Sequence, residues 1–542
     1  MSKQLIITSA LPYANGPLHF GHLLEHIQTD IWVRTNRLLK EKCIYLCASD
    51  AHGTPIMMKA ESEKIKPEDL VKQFTKQHEK TLKGFHINHD NYYTTHSDEN
   101  KKYSELIFLR SQKNNLIINK IIEQFYDESK GLFLADRYVQ GTCPSCGAKH
   151  QYGDNCEECG AKYEATDLID PISIFSGETP SIKESEHLFF DLSKQEKKLI
   201  KWIEKTDLQD GVKNKLKEWF EDGLKPWDIS RDEPYFGFSI PGFPKKYFYV
   251  WLDAPIGYIA ILDNFLSKNS SSVSAEELWN ESEIYHFIGK DIMNFHTLFW
   301  PALLDGSDFK KPSNVFVHGF MTLNGKKMSK SKGNFLLIDD YLNILNPDYM
   351  RYFLASKLSN GIDDLDLDLL DFQKKVNTDL VGKFVNIASR SQGFLKEFNN
   401  ILSNDLDEEL IDKFSNKKDE IFNHYINRNY SKALKEIMSL ADKANQYIDS
   451  EKPWILNKES SNKEKVRKIA STAINLFKIL NLYLEPVIPE TSEKIKKYLK
   501  CEDSIDNISS YMKNHEIDSF NPLILRIEDE KIEKLMEISK NG

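Results

Sequence analysis

The 542-residue chain has no apolar run of membrane-spanning length. It also has no charged, apolar and small-residue pattern of a secretory signal near its start, since residues 5–8 already read as a strand. A membrane protein is excluded and a cytoplasmic location expected. Cysteine is scarce, seven in all, and the odd count in a chain of this size argues against a disulfide framework. Net positive charge is missing too: 72 Lys and Arg against 82 Asp and Glu give −10. A polyanionic partner must therefore be held by local basic patches and not by global attraction. What remains, 40% hydrophobic and 28% charged residues with a mean hydropathy of −0.50, is a globular composition long enough for three or more domains.

Four of the cysteines cluster. Cys143-Pro-Ser-Cys146 and Cys156-Glu-Glu-Cys159 are paired C-x-x-C steps nine residues apart. Such steps let each turn present two sulfurs to one ion, and four protein thiolates close a tetrahedral site for structural zinc with no position left to activate water. Gly147 and Gly160 suit the tight turns. Cys43 and Cys47 lie in the apolar run 43–48, where they read as small buried hydrophobes; Cys501 has no partner nearby in sequence.

The stretch Leu11-Pro-Tyr-Ala-Asn-Gly-Pro-Leu-His19-Phe-Gly21-His22 joins the strand-like residues 5–8 to a pattern with Leu23, Ile27, Ile31 and Leu38 at helical spacing. It is a strand-to-helix turn, with Asn15-Gly16 as turn chemistry, Pro17 suited to a first helical position and the helix beginning near His19. His19 and His22 share a face of the first turn, where free N–H groups and the positive dipole end favour a phosphate, and Gly21 leaves room for close approach. A pair of histidines capping a core helix is the plain alternative.

A second strand, residues 43–49, ends at Asp50-Ala-His52-Gly-Thr-Pro, so Asp50 and His52 lie where ligands collect in open α/β sheets. Helical patterns follow at 67–84 and from Asn100 to about Lys130. Residues 193–228 read as amphipathic helix. Residues 246–258 read as a buried strand running into a turn and a helix, and 267–274 as a surface loop. A strand at 284–288 leads to Gly289-Lys290-Asp291 and a helix with Ile292, Phe295, His296 and Phe299 on one face and Trp300 alongside. After a short strand at 315–318, Asn324-Gly325 marks a hairpin before Lys327-Met-Ser-Lys330-Ser, a Lys-rich loop that alone would read as solvated. Beyond about Lys383 the pattern is almost wholly helical. There Asn386 and Arg390 share a helix face, and Pro453-Trp454 opens a later helix, where Trp is more often core than ligand.

Taken together, His19-Phe-Gly-His22 and Lys327-Met-Ser-Lys-Ser331 resemble the HIGH and KMSKS motifs that flank ATP in class I aminoacyl-tRNA synthetases. The resemblance covers essentially the whole chain and is nearest to the methionyl-tRNA synthetase family. The motif around Tyr13, Asp50-Ala-His-Gly-Thr-Pro55, the four-cysteine knuckle, Trp251-Leu-Asp-Ala-Pro-Ile-Gly-Tyr258 and Phe295-His-Thr-Leu-Phe-Trp300 carry it, and Asn386-Ile-Ala-Ser-Arg390 resembles the anticodon-reading helix. The implied fold is a Rossmann-type parallel sheet split by a zinc-knuckle insertion and followed by a C-terminal α-helical bundle. The corresponding domains are 1–98 (first half of the catalytic domain), 99–245 (insertion, knuckle at about 140–164), 246–320 (second half), 321–382 (KMSKS loop and stem contact) and 383–542 (anticodon binding).

The implied activity is methionine-tRNA ligation: methionine and ATP give methionyl-adenylate and pyrophosphate, and methionine then passes to tRNA(Met). By resemblance, His19, Gly21, His22, Gly289, Asp291, His318 and Lys330 contact ATP, with Lys327 and Lys330 neutralising the departing pyrophosphate. Leu11, Tyr13, Asp50, Trp251, Ala254, Pro255, Tyr258, Ile292, Phe295, His296 and Trp300 surround methionine, with Asp50 on its ammonium. Arg231 is expected near the amino acid or adenylate. Asn386, Arg390, Pro453 and Trp454 read the anticodon. The implied ions are one structural Zn²⁺ and Mg²⁺ with ATP. No extra C-terminal dimerising module follows the helices, so a monomer is expected.

Physical chemistry agrees with methionine, because an unbranched thioether is selected by a close-fitting, polarizable aromatic pocket. The insertion is too small for the editing domain of relatives that take branched amino acids. Two rivals are a small-molecule nucleotidyltransferase using the same turn and an inactive zinc-bearing RNA-binding protein. The first would not need the helical region or the Lys-rich loop, and the second would not need both histidines and both lysines.

Overall fold

The computed structural model describes residues 3–153, 156–221, 223–327, 335–502 and 504–541. Five parallel strands form the central sheet in the order β7-β6-β1-β2-β3: β1 (Leu5–Ser9), β2 (Cys43–Ser49), β3 (Asn91–Thr94), β6 (Glu283–Gly289) and β7 (Asn314–His318). Leu5 pairs with Cys43 on one side and Glu283 on the other. The chain therefore leaves β1 in one direction and returns on its opposite edge, which opens a crevice at the carboxyl ends of β1 and β6. Both sheet faces are covered, as parallel sheets require. Ile7 faces a core shared with α1 (Phe20–Leu38) and the C-terminal helices, while Ile6 faces a second core with α2 (Asp98–Lys113) and α3 (Val250–Lys268).

Besides residues 193–228, which form two helices, Glu196–Lys205 and Asp210–Glu221, and a strand at Trp227–Asp228 in place of one helical stretch, two elements differ from the sequence reading. The helix expected over residues 100–130 ends at Lys113, and Asn115 turns the chain with φ 56°. Residues Ile117–Asp127 then form strand β4, which pairs antiparallel with β5 (Ser181–Phe190), from Ile117 against Phe190 to Tyr126 against Ser181. Its β-branched residues Ile117, Ile118, Ile121 and Ile122 favour the strand over the helix that its charges suggested. This arm carries a small antiparallel sheet, Gln151–Tyr152, Val139–Thr142 and Ile169–Ser173, that holds the four cysteines. The second difference is at residues 249–258: the strand stops at Phe248 and Val250 already begins α3 without an intervening turn. Pro255 lies inside that helix and deprives the Trp251 carbonyl of its usual donor.

From Pro347 onward helices dominate, among them α4 (Pro347–Lys357), α5 (Asn386–Ser391), α6 (Tyr430–Glu451) and α7 (Lys463–Leu484). They share one hydrophobic core with α1 and one face of the sheet. No helix among the described residues is long and apolar enough to cross a membrane.

At the join lies Arg351 of α4, with no exposed surface. Its Nη2 donates to Asp30 Oδ2 of α1 (2.6 Å) and to the Pro486 carbonyl (2.9 Å), Nε to Val487 O (2.9 Å) and Nη1 to Phe85 O (3.0 Å). Asp30 also accepts from Arg34 Nε at 2.7 Å. Burial by itself would raise the Asp30 pKa, but the Arg34 and Arg351 guanidiniums hold it below the ordinary carboxylate value. Because its folded pKa is depressed, Asp30 contributes stability above the unfolded value of about 3.9, and that contribution fades as pH falls through the folded one. Arg351→Ala should lower the urea midpoint by the equivalent of about 3–5 kcal/mol at neutral pH. The difference from wild type should shrink as Asp30 becomes protonated, so a deficit that stays constant down to pH 3 would assign the loss to packing alone.

Candidate active site

The loop after β1 runs beside the end of β2. Ala14 N donates to Asp50 O (2.8 Å), Asp50 N to Pro12 O (2.9 Å), and Tyr13 forms a parallel bridge with Asp50. Tyr13 Oη donates to His52 O at 2.8 Å. A Cβ on Gly53 would lie 3.0 Å from that hydroxyl, and its φ of 113° suits glycine.

His19 is the N-cap of α1, which starts at Phe20, beside the start near His19 that the sequence predicts. The reason is local: His19 Nδ1 accepts from Gly21 N (3.1 Å), and His22 Nδ1 accepts from His19 N (3.2 Å), a reciprocal capping box that closes the turn. Both Nδ1 atoms are acceptors, so the proton of each neutral ring is on Nε2, and two N–H donors stand at a helix N-terminus. The rings lie 3.8 Å apart. Burial lowers both pKa values; the Asp291 carboxylate opposes this at His19, and neighbouring His19, His26 and His78 reinforce it at His22. A Cβ on Gly21 would meet His19 Cε1 at 2.9 Å, so glycine is required here by the ring and not only by a ligand.

The structure brings most of the remaining candidates to the same crevice. Trp251 and Phe295 stack at 4.0 Å and 7°, and Trp227 stacks on Phe299 at 4.5 Å. Leu11 Cδ1 comes within 3.4 Å of where a Gly257 Cβ would be. His296 Nδ1 faces the Ile292 carbonyl at 3.1 Å and must donate to it, so Nε2 accepts from Tyr258 Oη at 2.9 Å. Burial depresses His296 to about 4, which keeps this pair uncharged. Phe295–Phe299 is a π-helical turn, a local widening that recurs at functional sites. Ala254 and Pro255 are buried one helical turn from Tyr258. Trp300, expected as a wall, is fully buried like Tyr258, donating Nε1 to His286 Nε2 at 3.1 Å with its ring 6.4 Å from that of Tyr258. Its neighbours Trp279 and His286 supply the buried packing that the helical stripe could not reveal.

Asp50 Oδ1 is buried without a hydrogen-bond partner among the described residues. Burial, with the Asp253 charge nearby, pushes the Asp50 pKa well above the carboxylate range. Asp253 Oδ2 receives His52 Nδ1 at 2.5 Å, His52 Nε2 meets His96 Nδ1 at 3.0 Å, and Asp253 Oδ1 is also buried and unpartnered. Asp253 and Trp227 had no assigned role in the sequence reading. An acid within the apolar run 250–262 was the available signal for the first; nothing marked the second.

On the other side of the crevice, Gly289 pairs with His318 across β6 and β7, and a Cβ at Gly289 would lie 2.5 Å from Asp291 Oδ1. His318 Nδ1 donates to Gly319 O at 2.7 Å, and its Nε2 lies 3.5 Å from Glu25 Oε2. Arg231 lies against the Tyr249 ring (3.7 Å) and beside Asp228 (3.3 Å).

The Lys-rich loop begins in a hairpin, Met321–Leu323 against Lys326–Lys327, turning at Asn324 (φ 51°) and Gly325 (φ 74°). Lys330 and the rest of residues 328–334 lie outside the described residues, as does the Lys327 side chain. Beyond them, Leu336 is fully buried and Leu337 bridges antiparallel to His19, so the far end of the loop is tied to the capping histidine.

The four cysteine sulfurs lie within 4.8 Å of one another, with Cys143 to Cys159 at 3.9 Å and Cys146 to Cys156 at 3.6 Å. Zinc–sulfur bonds of about 2.3 Å set tetrahedral edges of about 3.8 Å, so the donor set fits that ion. Ser145 N and Cys159 N donate to Cys143 Sγ and Cys156 Sγ, both at 3.4 Å. Gly147 (φ 76°) and Gly160 (φ 73°) make the two turns. Far from this, Asn386 Nδ2 donates to Asn445 Oδ1 (3.1 Å), Arg390 pairs with Asp449, and the Arg390 guanidinium lies 5.4 Å from the Trp454 ring centre. Trp454 is 43% exposed and so is not a core residue, whereas its neighbour Pro453 is buried.

Two structures of Mycobacterium tuberculosis methionyl-tRNA synthetase with methionyl-adenylate match this fold with TM-scores of 0.80 at 23% and 22% identity. They cover 96% of this chain and 99% and 100% of theirs. The apo form of that enzyme matches at 0.74 and 21%, covering 97% of this chain and 99% of its own. At such identities the likeness is one of fold. Sequence-family models go further: the anticodon binding domain of methionyl tRNA ligase matches residues 401–537, and the class I tRNA synthetases (M) match residues 5–392, well over half of the chain. The chain belongs to the class I tRNA synthetases of the methionyl type.

Proposed function

We propose that the crevice binds methionine and ATP side by side, forms methionyl-adenylate, and passes the methionyl group to the 3′ end of tRNA(Met). The observation that carries this reading is the buried, unpartnered Asp50 Oδ1 at the mouth of an aromatic cage. A buried carboxylate oxygen without a donor calls for a cation, and the α-ammonium of an amino acid supplies one. Leu11, Tyr13, Trp251, Ala254, Pro255, Ile292 and Phe295 then enclose a side chain, and the uncharged Tyr258–His296 pair faces it with no spare charge. That environment suits a polarizable thioether better than an ionic or strongly hydrogen-bonding group.

The chemistry asks for placement and charge stabilisation. Methionine's carboxylate oxygen bonds to the α-phosphorus as the bond to pyrophosphate breaks. The Nε2–H donors of His19 and His22 face the phosphates at the helix N-terminus, with Gly21 allowing approach; Gly289 and Asp291 take the ribose and His318 the adenine side. Lys327 and Lys330 neutralise the departing pyrophosphate, whose Mg²⁺ arrives with ATP. A terminal ribose hydroxyl of tRNA next attacks the adenylate carbonyl and releases AMP. Asn386, Arg390, Pro453 and Trp454 read an anticodon by hydrogen bonding and stacking, the usual mode for single-stranded loops. Cys143, Cys146, Cys156 and Cys159 would hold one zinc ion that fixes the knuckle and supplies no Lewis-acid step. We further read the enzyme as cytoplasmic and monomeric.

Methionine-dependent exchange of pyrophosphate into ATP tests the whole reading, and exchange driven by a different amino acid would overturn it. Asp50→Asn should raise the methionine KM about 10²-fold or more, with a smaller change for ATP, since one partner of a buried charge pair is lost. Trp454→Ala should impair tRNA charging while leaving pyrophosphate exchange intact; equal damage to both would place its effect in folding. Purified protein should carry about one zinc per chain, and Cys143→Ala should lose both the metal and thermal stability, whereas an unchanged metal content would refute the assignment.

A further inference from the structure

Behind the histidine turn, three side chains with no part in the steps above converge in the core. His26 lies one helical turn along α1 from His22, Cys47 is on β2, and His89 is in the loop leading to β3. Each offers a ligand atom within 4.8 Å of the other two. His26 and Cys47 are fully or almost fully buried, and Nε2 of both His26 and His89 is buried with no hydrogen-bond partner. The rings meet edge to face at 5.4 Å, and the Cys47 thiol has no acceptor nearer than the Ala48 carbonyl at 3.6 Å. The two imidazole nitrogens, orphaned among the described residues, are polar atoms left unpaired that apolar side chains of the same size would avoid.

We propose that His26, Cys47 and His89 form a second metal site, separate from the four-cysteine cluster, that takes a thiophilic monovalent cation, copper(I). Imidazole with thiolate is a donor set for soft ions. The charge of the ion follows from what surrounds the site. Asp30, the acid one turn along α1 from His26, is committed to Arg34 and Arg351 and so is not available to offset a divalent charge. A monovalent ion with one thiolate and two neutral imidazoles is electrically neutral, whereas a divalent ion would leave a net positive charge in the core. Binding exchanges the thiol proton, released to solvent, for a sulfur–metal bond, with no change of oxidation state. With bonds of about 2.0–2.3 Å, three donors around one ion stand about 3.5–3.8 Å apart, within the 4.8 Å that bounds their present spacing.

The test is an anaerobic titration of the full-length protein, its zinc content measured beforehand, with copper(I) supplied as its acetonitrile complex against a competing chelator. X-ray absorption is recorded on the loaded sample. One copper per chain is expected, in a shell of one sulfur and two nitrogens, without loss of zinc. His89→Phe and Cys47→Ala should each weaken retention by about 10²-fold while keeping their zinc. Retention undiminished in a folded His89→Phe protein, a sulfur-only shell, displacement of zinc, or failure to outcompete the chelator would overturn the site. Equally tight binding of zinc(II) at these three residues would overturn the charge argument. Should both variants fail to fold, the wild-type absorption spectrum alone decides.

Discussion

The position of the catalytic turn depends on a buried ion pair halfway along the helix that carries it. Asp30 and the histidines are on the same α1, and Arg351 binds Asp30 while spending its other donors on the carbonyls of Phe85, Pro486 and Val487. A guanidinium can do this because its planar fork serves several acceptors in fixed directions, which an ammonium cannot. The arrangement gains little net energy over an apolar replacement, since both charges were taken out of water. What it secures is geometry: α1, the segment before β3 and the turn after α7 have one mutual placement in which all three guanidinium nitrogens of Arg351 are bonded.

In a chain with a net charge of −10, the side-chain donors at the start of α1 are neutral groups and not cations. His19 and His22 are held uncharged by burial, and their Nδ1 atoms are occupied by backbone N–H groups. This leaves two fixed N–H donors at a helix N-terminus. Imidazolium ions 3.8 Å apart would repel each other. Neutral donors on a preorganised turn avoid that cost and need no reorganisation when phosphate charge grows. The same burial extends down the helix to His26, where no phosphate reaches and the imidazole is left unpartnered.

Much of this was legible in the sequence where chemistry and spacing coincide. The strands at Leu5–Ser9, Cys43–Ser49 and Asn314–His318 are short apolar runs between turn signals, and the cysteines declare their site by spacing alone. The parts that were not legible are decided by partners distant in the chain. Residues Ile117–Asp127 become a strand because Ser181–Phe190 lies beside them, and local charge periodicity carries no trace of that. Val250–Lys268 is helix from its first residue despite Pro255 and a β-branched, aromatic start, because its faces pack on α2 and the sheet. Trp300 and Phe295 are equally apolar in sequence, and their different depths depend on Trp279 and His286 behind one and Trp251 in front of the other.

The helical region is joined to the catalytic helix by more than the ion pair. Tyr430 Oη donates to Gln28 O at 2.9 Å, and Trp32 Nε1 donates to Ile426 O at 3.0 Å, so Gln28, Asp30 and Trp32 of α1 each bond to it or to α4. At the other end, Leu337 bridges His19 just after the Lys-rich loop. The helix is thus fixed at its N-terminus by Leu337 and over its middle by α4, by the first residue of α6 and by the end of the helix Lys418–Ile426. With these bonds buried in one continuous core, moving the helical region would strain α1 before it strained any linker. The helical region and the His19–His22 turn therefore belong to one packed framework.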